Sequence, residues 1–146
     1  MSRLSGLVAV LIVVLIVAAG PSLAQDAREP AARTEAERHF ILGQMRLFLQ
    51  STQVITAALA TGDLEAVAVE AAARGRRGTP MSAIPPGMKA KETQAWAAMM
   101  AGARGGFDDL AGAAQAGAPP GKLLGILGDT MRNCVACHGS YRLTTE

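Results

Sequence analysis

The pattern Cys134-Val135-Ala136-Cys137-His138, close to the C-terminus, constrains this chain more than any other stretch. Cys-x-x-Cys-His is the attachment motif of c-type haem, in which both thiols bind the porphyrin covalently and the histidine coordinates the iron. On a helix, the two cysteines and the histidine lie on one face, so all three can reach one ligand. Both cysteines of the chain belong to the motif. The motif therefore predicts one covalently bound haem c.

Two other interpretations of the cysteine pair are open. A Cys-x-x-Cys pair can be a redox dithiol or disulfide of the thioredoxin type, although no alternation of strands and helices is visible around it. It can also be half of a tetrahedral zinc site, although the only other histidine is His39 and there is no second pair of ligands. The haem interpretation is favoured because it accounts for the histidine as well as for the thiols.

The first 24 residues have the pattern of a bacterial secretory signal peptide. Arg3 supplies a positive start, an unbroken apolar run covers 7–19, and Ser22-Leu23-Ala24 is a small-x-small cleavage site. An uncleaved membrane anchor is a second interpretation, but the run is shorter than the roughly 20 apolar residues of a spanning helix. We predict cleavage after Ala24 and a periplasmic location, which suits the attachment of haem to such a motif.

The remaining residues, 25–146, have the size of one domain. This part contains all of the 14 basic and 12 acidic side chains of the sequence except Arg3. Its net charge is therefore close to zero, and it lacks the excess of basic residues that is typical of nucleic-acid-binding proteins. Only 3% of the residues are aromatic, so the side chains alone would build a thin core to which a buried haem would add apolar bulk. No nucleophile or acid–base pair is visible, and we do not expect an enzyme.

The apolar pattern predicts four helices and no strand. A frayed polar leader over 25–32 precedes the first helix, whose apolar positions recur at steps of three and four between Ile41 and Leu59. Gly62 is placed to end this helix, and Asp63 is placed to cap a short second helix. The connections are short to moderate, which favours an all-α fold: an antiparallel four-helix bundle enclosing one covalently bound haem.

The third helix is predicted over about 89–116 and contains three glycines, Gly102, Gly105 and Gly106. Each costs about 1 kcal/mol relative to alanine inside a helix. The glycines indicate a kink, or a close approach of the backbone to haem or to another helix. A loosened helix in which they have no such role is equally compatible with the sequence.

The fourth helix is predicted from Lys122 through the haem motif, and its apolar stripe includes that motif. The stripe steps by three and four residues through Leu124, Leu127, Met131, Cys134, His138 and Tyr141. We therefore expect His138 to point into the bundle. Arg142 would lie one turn beyond His138 on the same helix.

Any second axial ligand that the protein gives to the iron must come from upstream, because the residues that follow His138 include no methionine or histidine. Met45 lies at the centre of the apolar stripe of the first helix. A thioether is a soft, neutral ligand, and His/Met ligation raises the reduction potential of haem. We therefore predict Met45 as the distal ligand, with a role as a gap-filling core residue as the other interpretation.

Other residues could take the place of Met45. Leu42 would cover the iron if Met45 were displaced by one turn, and the iron would then be five-coordinate. His39 points away from the apolar stripe. The remaining helical methionines, Met99, Met100 and Met131, are expected in the core, with Met131 against the haem edge.

Several arginines are candidates for contacts with haem or with a partner. Arg74, Arg76 and Arg77 form a basic cluster after the second helix, which is either a solvated face or a surface for a partner or a propionate. Arg38 or Arg46 could pair with a haem propionate.

The chain resembles the cytochrome c-prime family, the class II cytochromes c, and in particular its low-spin c556-like members. The resemblance covers 25–146 and rests on the four predicted helices and on Cys134-x-x-Cys137-His138-x-x-Tyr141-Arg142. It implies a four-helix bundle with His138 as the proximal ligand and Arg142 near the proximal imidazole. A solvated arginine that complements the helix dipole is the other interpretation of Arg142.

The resemblance also implies a division of function. Five-coordinate members have an apolar residue of the first helix over the iron and bind NO or CO. In c556-like members a methionine of the first helix completes the coordination, and the protein carries electrons. We predict the second: a periplasmic monohaem electron carrier for transient protein partners, with His138 and Met45 as axial ligands. NO or CO binding is the alternative, and the resemblance also implies that a homodimer can form through the first two helices.

Overall fold

The computed structural model describes residues 25–146, so the predicted signal peptide lies outside the described residues. Four helices form most of this part: α1 (Glu35–Thr61), α2 (Leu64–Ala72), α3 (Gln94–Gln115) and α4 (Pro120–Ser140). Two short strands, β1 (Glu29–Arg33) and β2 (Tyr141–Thr145), lie before α1 and after α4. The connection from α2 to α3 contains two 3-10 turns, Met81–Ala83 and Met88–Lys91. Within 25–146, none of the helices is long and apolar enough to cross a membrane.

Local capping signals fix both ends of α1 and the start of α2. The Thr34 hydroxyl accepts the backbone N–H of Glu37, whose carboxylate accepts the N–H of Thr34, so α1 begins with a capping box. Gly62 ends α1 in the left-handed conformation, with φ 74°. The Asp63 carboxylate then accepts the N–H of Ala66 at 3.0 Å and starts α2. Both predicted caps, Gly62 and Asp63, are confirmed.

The main hydrophobic core lies between the four helices. α3 packs against both α2 and α4, and α1 also contacts α2 and α4. The largest fully buried apolar side chains are Ile55, Val67, Phe107, Leu110 and Leu123. Phe48 of α1 stacks on Phe107 of α3 with 5.5 Å between the ring centroids. The thin, aromatic-poor core therefore has one aromatic pair that joins α1 to α3.

Two glycines bring α3 and α4 close together. A Cβ atom at Gly102 would lie 2.5 Å from Oδ1 of Asn133, and one at Gly106 would overlap the Thr130 hydroxyl. Gly105 instead faces the Arg76 guanidinium. Of the interpretations that the sequence left open, the close approach to another helix holds for Gly102 and Gly106, which lie one turn apart on one face.

We expect Gly106→Ala to destabilise the protein by about 1–3 kcal/mol, because the added methyl group overpacks the contact between α3 and α4. This loss should exceed the gain of about 1 kcal/mol in helix propensity. Gly112→Ala is the matched control in the same helix, since nothing lies within 4 Å of its Cβ position, and it should stabilise the protein. Urea unfolding measures both; a Gly106→Ala variant as stable as Gly112→Ala would contradict the close approach.

The predictions of a frayed leader and of a strand-free fold are wrong. β1 pairs in parallel with β2, from Glu29 opposite Tyr141 to Arg33 opposite Thr145. The prediction that α4 continues through Arg142 is also wrong, because α4 ends at Ser140 and Tyr141 is extended. The extended backbone satisfies its hydrogen bonds in the ladder with β1. It also buries the Tyr141 ring edge-on against Trp96, with 5.2 Å between the centroids.

An ion pair between an exposed lysine and a buried carboxylate joins α1 to the segment that precedes α3. Lys91 donates to the buried carboxylate of Glu37 at 2.9 Å and to the carboxylate of Glu146 at 2.5 Å. The hydrogen bond from Lys91 is the main cause that lowers the pKa of Glu37 below its ordinary value, and the Thr34 N–H adds to it. Glu146 and Glu37 in turn raise the pKa of Lys91. Both shifts mean that the folded state favours the charged forms.

This pair predicts a loss of stability in acid. A carboxyl group with a lowered folded-state pKa stabilises the protein above its unfolded pKa of about 4.3, and the contribution is lost as the pH falls through the folded-state pKa. We expect Glu37→Gln to lower the urea midpoint at pH 7 and to reduce its decline below about pH 4.3. Glu65→Gln, at an exposed position of α2, is the control and should leave the pH profile unchanged. A Glu37→Gln profile parallel to that of the wild type would contradict the role of the pair.

Candidate functional site

A largely apolar cavity of about 570 Å³ lies between α1, α3, α4 and the start of β2. Its helical wall includes Ile41, Leu42, Met45, Phe48, Leu49, Trp96, Met99, Met100, Ala103, Met131, Cys134, Cys137 and His138. The apolar wall is open to solvent in places: the side chain of Leu49 is 74% exposed and that of Leu42 is 38% exposed. Such a concave apolar surface with a few polar groups is typical of a ligand or cofactor site.

The structure brings the whole Cys-x-x-Cys-His motif to one wall of this cavity. Cys134 and Cys137 are half-buried and free, and His138 is exposed at the end of α4. The backbone carbonyl of His138 accepts a hydrogen bond from Nη1 of Arg28 at 3.2 Å. Two thiols and one imidazole can therefore act on the same occupant of the cavity.

The prediction that His138 points into the bundle and not out to solvent holds only in part, because His138 borders the cavity but is exposed. The face of α4 that enters the core contains Leu123, Leu127 and Thr130, whereas Leu124 of the predicted stripe is exposed. Met131, Cys134 and His138 occupy the neighbouring face, which borders the cavity. The core face and the cavity face are neighbours on the surface of the same helix, and residues three or four apart can fall on either. The spacing of the apolar residues alone therefore could not tell which of them enter the core and which line the cavity.

The electrostatic surroundings of the thiols differ from those of a redox dithiol. Burial raises the pKa of Cys134 and of Cys137, and the neighbouring Cys134 raises that of Cys137 further. Redox-active Cys-x-x-Cys thiols have a lowered pKa, commonly at a helix N-terminus. Here both lie in the C-terminal part of α4, near the end at which the helix dipole disfavours an anion. The thiols therefore stay protonated at neutral pH, which argues against thioredoxin-like chemistry.

Met45 lies on the cavity wall, half-buried. It packs against the main core and against a second cluster of buried side chains that includes Ile41, Trp96 and Tyr141. Leu42 shares the wall, one turn before Met45. Met99, Met100 and Met131, which were expected in the core, also line the cavity. They face it because the core between α1, α3 and α4 opens on this side. His39 is exposed and does not border the cavity, as predicted.

Two arginines border the cavity beside the motif. Arg142 does so from β2, not from α4, and its buried Nε has no hydrogen-bond partner within the described chain. That Nε lies 4.0 Å from Oδ2 of Asp26. Arg28 donates to both carboxylate oxygens of Asp26, at 2.9 and 2.7 Å. The side-chain hydrogen bonds from Arg28, more than the charge of Arg142, lower the pKa of Asp26 to about 2.

Arg28 is a site residue that the sequence did not predict. It lies in the segment expected to be frayed, and only the pairing of β1 with β2 brings it beside His138. Arg38 and Arg46, which were considered for contacts with a propionate, do not border the cavity. Among residues 25–146, the arginines that border this cavity are therefore Arg28, which is already paired with Asp26, and Arg142.

No family model, curated protein or solved structure matches this chain. The described residues also contain no group of three or more His, Cys, Asp and Glu side chains placed to hold a metal ion.

Proposed function

We propose that this chain is a periplasmic monohaem c-type cytochrome that carries single electrons between protein partners. The proposal includes a four-helix bundle that encloses one covalently bound haem. The observation that carries it is the convergence of both thiols of Cys-x-x-Cys-His, the adjacent imidazole and a thioether on one apolar cavity. The proposal of a periplasmic location comes from the signal-peptide pattern.

The residues of the cavity fit a haem. The volume of about 570 Å³ falls within the range of roughly 300–1,000 Å³ that is usual for cofactor sites. A large apolar ligand would cover the exposed parts of Leu42, Leu49 and Met131, at a gain of about 25 cal/mol for each Å² removed from water. Arg142 supplies a cation for a carboxylate of haem, and Arg28 borders the same cavity although its charge is already paired with Asp26. The apolar wall thus matches the porphyrin ring of haem, and the charged groups match its carboxylates.

The motif provides the covalent attachment. The S–H groups of Cys134 and Cys137 would each add across a vinyl double bond, with the sulfur on one carbon and the hydrogen on the other. No net oxidation or reduction is involved. The imidazole of His138 would coordinate the iron, and the Met45 sulfur is the proposed second axial ligand. A bound haem would supply a one-electron iron couple, whose potential His/Met ligation raises.

The other residues of the cavity would position and tune this group. The Arg142 guanidinium, with its unpartnered Nε, would lie near the proximal side and disfavour additional positive charge on the iron. The hydrogen bond from Arg28 to the His138 carbonyl would help to hold the end of α4, which carries the imidazole. Met99, Met100 and Phe48 would exclude water from the apolar side.

A second function is supported by the position of Leu42. This side chain borders the same cavity as Met45, one turn away on α1. With Leu42 over the iron, the site would be five-coordinate and would bind NO or CO for sensing or detoxification. The two functions therefore differ in which α1 side chain faces the iron.

One set of spectra on the purified protein, made together with a haem-attachment system, tests both proposals. We expect haem that stays bound after denaturation and a low-spin absorption spectrum in both oxidation states that CO leaves unchanged. A high-spin spectrum that responds to CO would replace the electron carrier by the gas-binding function. Absence of covalent haem would contradict both.

A further inference from the structure

A basic face, formed by Arg74, Arg76, Arg77 and Arg104, lies beside the cavity. Arg104 comes from α3 and the other three come from the segment after α2. Arg76 pairs with Asp108 at 3.1 Å. Within residues 25–146, the other three arginines have no carboxylate within ion-pair distance. One acidic side chain therefore offsets four cations on this face.

Two of the four arginines of the basic face, Arg76 and Arg104, are held in place by contacts with the rest of the fold. Nη1 of Arg104 donates to the carbonyl of Gly75 at 3.1 Å, and its Nη2 donates to the Thr79 hydroxyl at 3.2 Å. Gly105 leaves the space that the Arg76 guanidinium fills, since a Cβ atom there would lie 2.5 Å from Nη2 of Arg76. Arginines that are already ordered lose less conformational entropy when they bind a partner than free ones do.

The basic face is separated from the cavity by one aromatic ring. The Arg104 guanidinium carbon lies 5.4 Å from the centroid of Phe48. Phe48 borders the cavity, and so does Ala103, the neighbour of Arg104 on α3. A molecule that contacts Arg104 would therefore sit against the far side of the cavity wall.

We propose that the basic face docks the acidic surface of a redox partner protein, which exchanges an electron with the cofactor behind Phe48. This inference rests on the proposed function and adds the site and the charge of the partner. Planar guanidinium groups suit bidentate contacts with carboxylates. A few such pairs in a small, transient interface steer the encounter and raise its rate without making the complex long-lived. An anionic membrane would also be attracted to these arginines. Binding to a membrane would not explain why the basic face lies beside the cavity.

The test measures, as a function of salt, the rate at which reduced flavodoxin, an acidic FMN protein, gives one electron to the oxidised holoprotein, as its flavin hydroquinone becomes the semiquinone. We expect Arg76→Gln with Arg77→Gln to slow the second-order rate about tenfold at about 10 mM ionic strength, where the Debye length is about 30 Å. At about 1 M salt, where it is about 3 Å, the rates of variant and wild type should converge. Lys89→Gln with Lys122→Gln removes the same charge elsewhere and should change the rate less than twofold at low salt.

Equal slowing by the two double variants would overturn the inference, because net charge alone would then explain the rates. So would a wild-type rate that is independent of salt. Loss of binding to phosphatidylglycerol vesicles with an unchanged flavodoxin rate would assign the face to a membrane instead. Arg77→Gln alone is the second variant if the double variant does not fold, and it should still slow the low-salt rate more than Lys89→Gln alone. Failure of the proposed function has a different signature: no covalent haem, or no reduction of bound haem by dithionite.

Discussion

Replacing Cys134 and Cys137 together by alanine is expected to abolish covalent haem attachment. The thiols of these two cysteines are the only groups that can form thioethers with the haem, because the chain has no other cysteine. Haem that the cavity still binds through His138 should be extracted by acidified organic solvent and lost on a denaturing gel. The measurement is the haem content of the denatured protein, which we expect to fall more than tenfold. Each single cysteine variant should keep one thioether bond to the haem, and its absorption spectrum should differ from that of the wild type.

Val135→Ala is the matched control for the cysteine variants. Val135 lies between the two cysteines, but its side chain is 71% exposed and does not border the cavity. We expect this variant to retain full covalent haem. Covalent haem in the double cysteine variant, or its complete loss in Val135→Ala, would contradict attachment through the two thiols.

The parts of the fold that the sequence predicted are those with local causes. The end of α1 at Gly62 and the start of α2 at Asp63 depend on the conformation of one residue and on one side-chain hydrogen bond. The same holds for the motif, because three residues within one turn of a helix lie on one face of that helix. Residue types and spacing therefore sufficed for the four helices and for the shared location of the cysteines and His138.

The small sheet has no such local signal. Of the five residues of β1, the two buried ones are Ala31 and Arg33, a small residue and a charged one, so no alternation of apolar residues marks a strand. Arg33 is accommodated because its guanidinium lies over the Trp96 ring, 5.2 Å from its centroid. The partner strand begins more than a hundred residues later. Arg28 reaches the His138 carbonyl only through this pairing, and the sequence therefore could not identify it as a site residue.

The division of the apolar residues between core and cavity was also beyond the sequence. Met131 and Leu127 lie one turn apart on α4, yet Leu127 is buried in the core and Met131 is 40% exposed on the cavity wall. The difference depends on where the neighbouring helices stop covering α4. The spacing of apolar residues reports only on the helix that contains them, so it predicts the same degree of burial for Leu127 and for Met131.

Replacing Met45 by leucine is expected to convert the iron from low-spin to high-spin and to open a site for CO. The substitution keeps a side chain of similar volume and polarity on the cavity wall but removes the sulfur atom. Without that neutral, soft ligand the reduction potential should fall, because Met/His ligation is what raises it. The oxidised and reduced absorption spectra, the response to CO and a redox titration measure these changes together. The fold should persist, since such a swap usually costs less than about 1.5 kcal/mol.

The same substitution at the other methionines of the cavity separates ligation from packing. Met99, Met100 and Met131 border the same cavity, so Met99→Leu, Met100→Leu and Met131→Leu change its wall by the same chemistry. We expect all three to keep the low-spin spectrum and to shift the potential less than Met45→Leu does, because they alter contacts without removing a bond to iron. A low-spin Met45→Leu variant together with a high-spin variant at one of the other three positions would transfer the ligand to that residue. A wild-type protein that is already high-spin would instead place Leu42 over the iron, and Leu42→Met would then be the variant expected to restore the low-spin state.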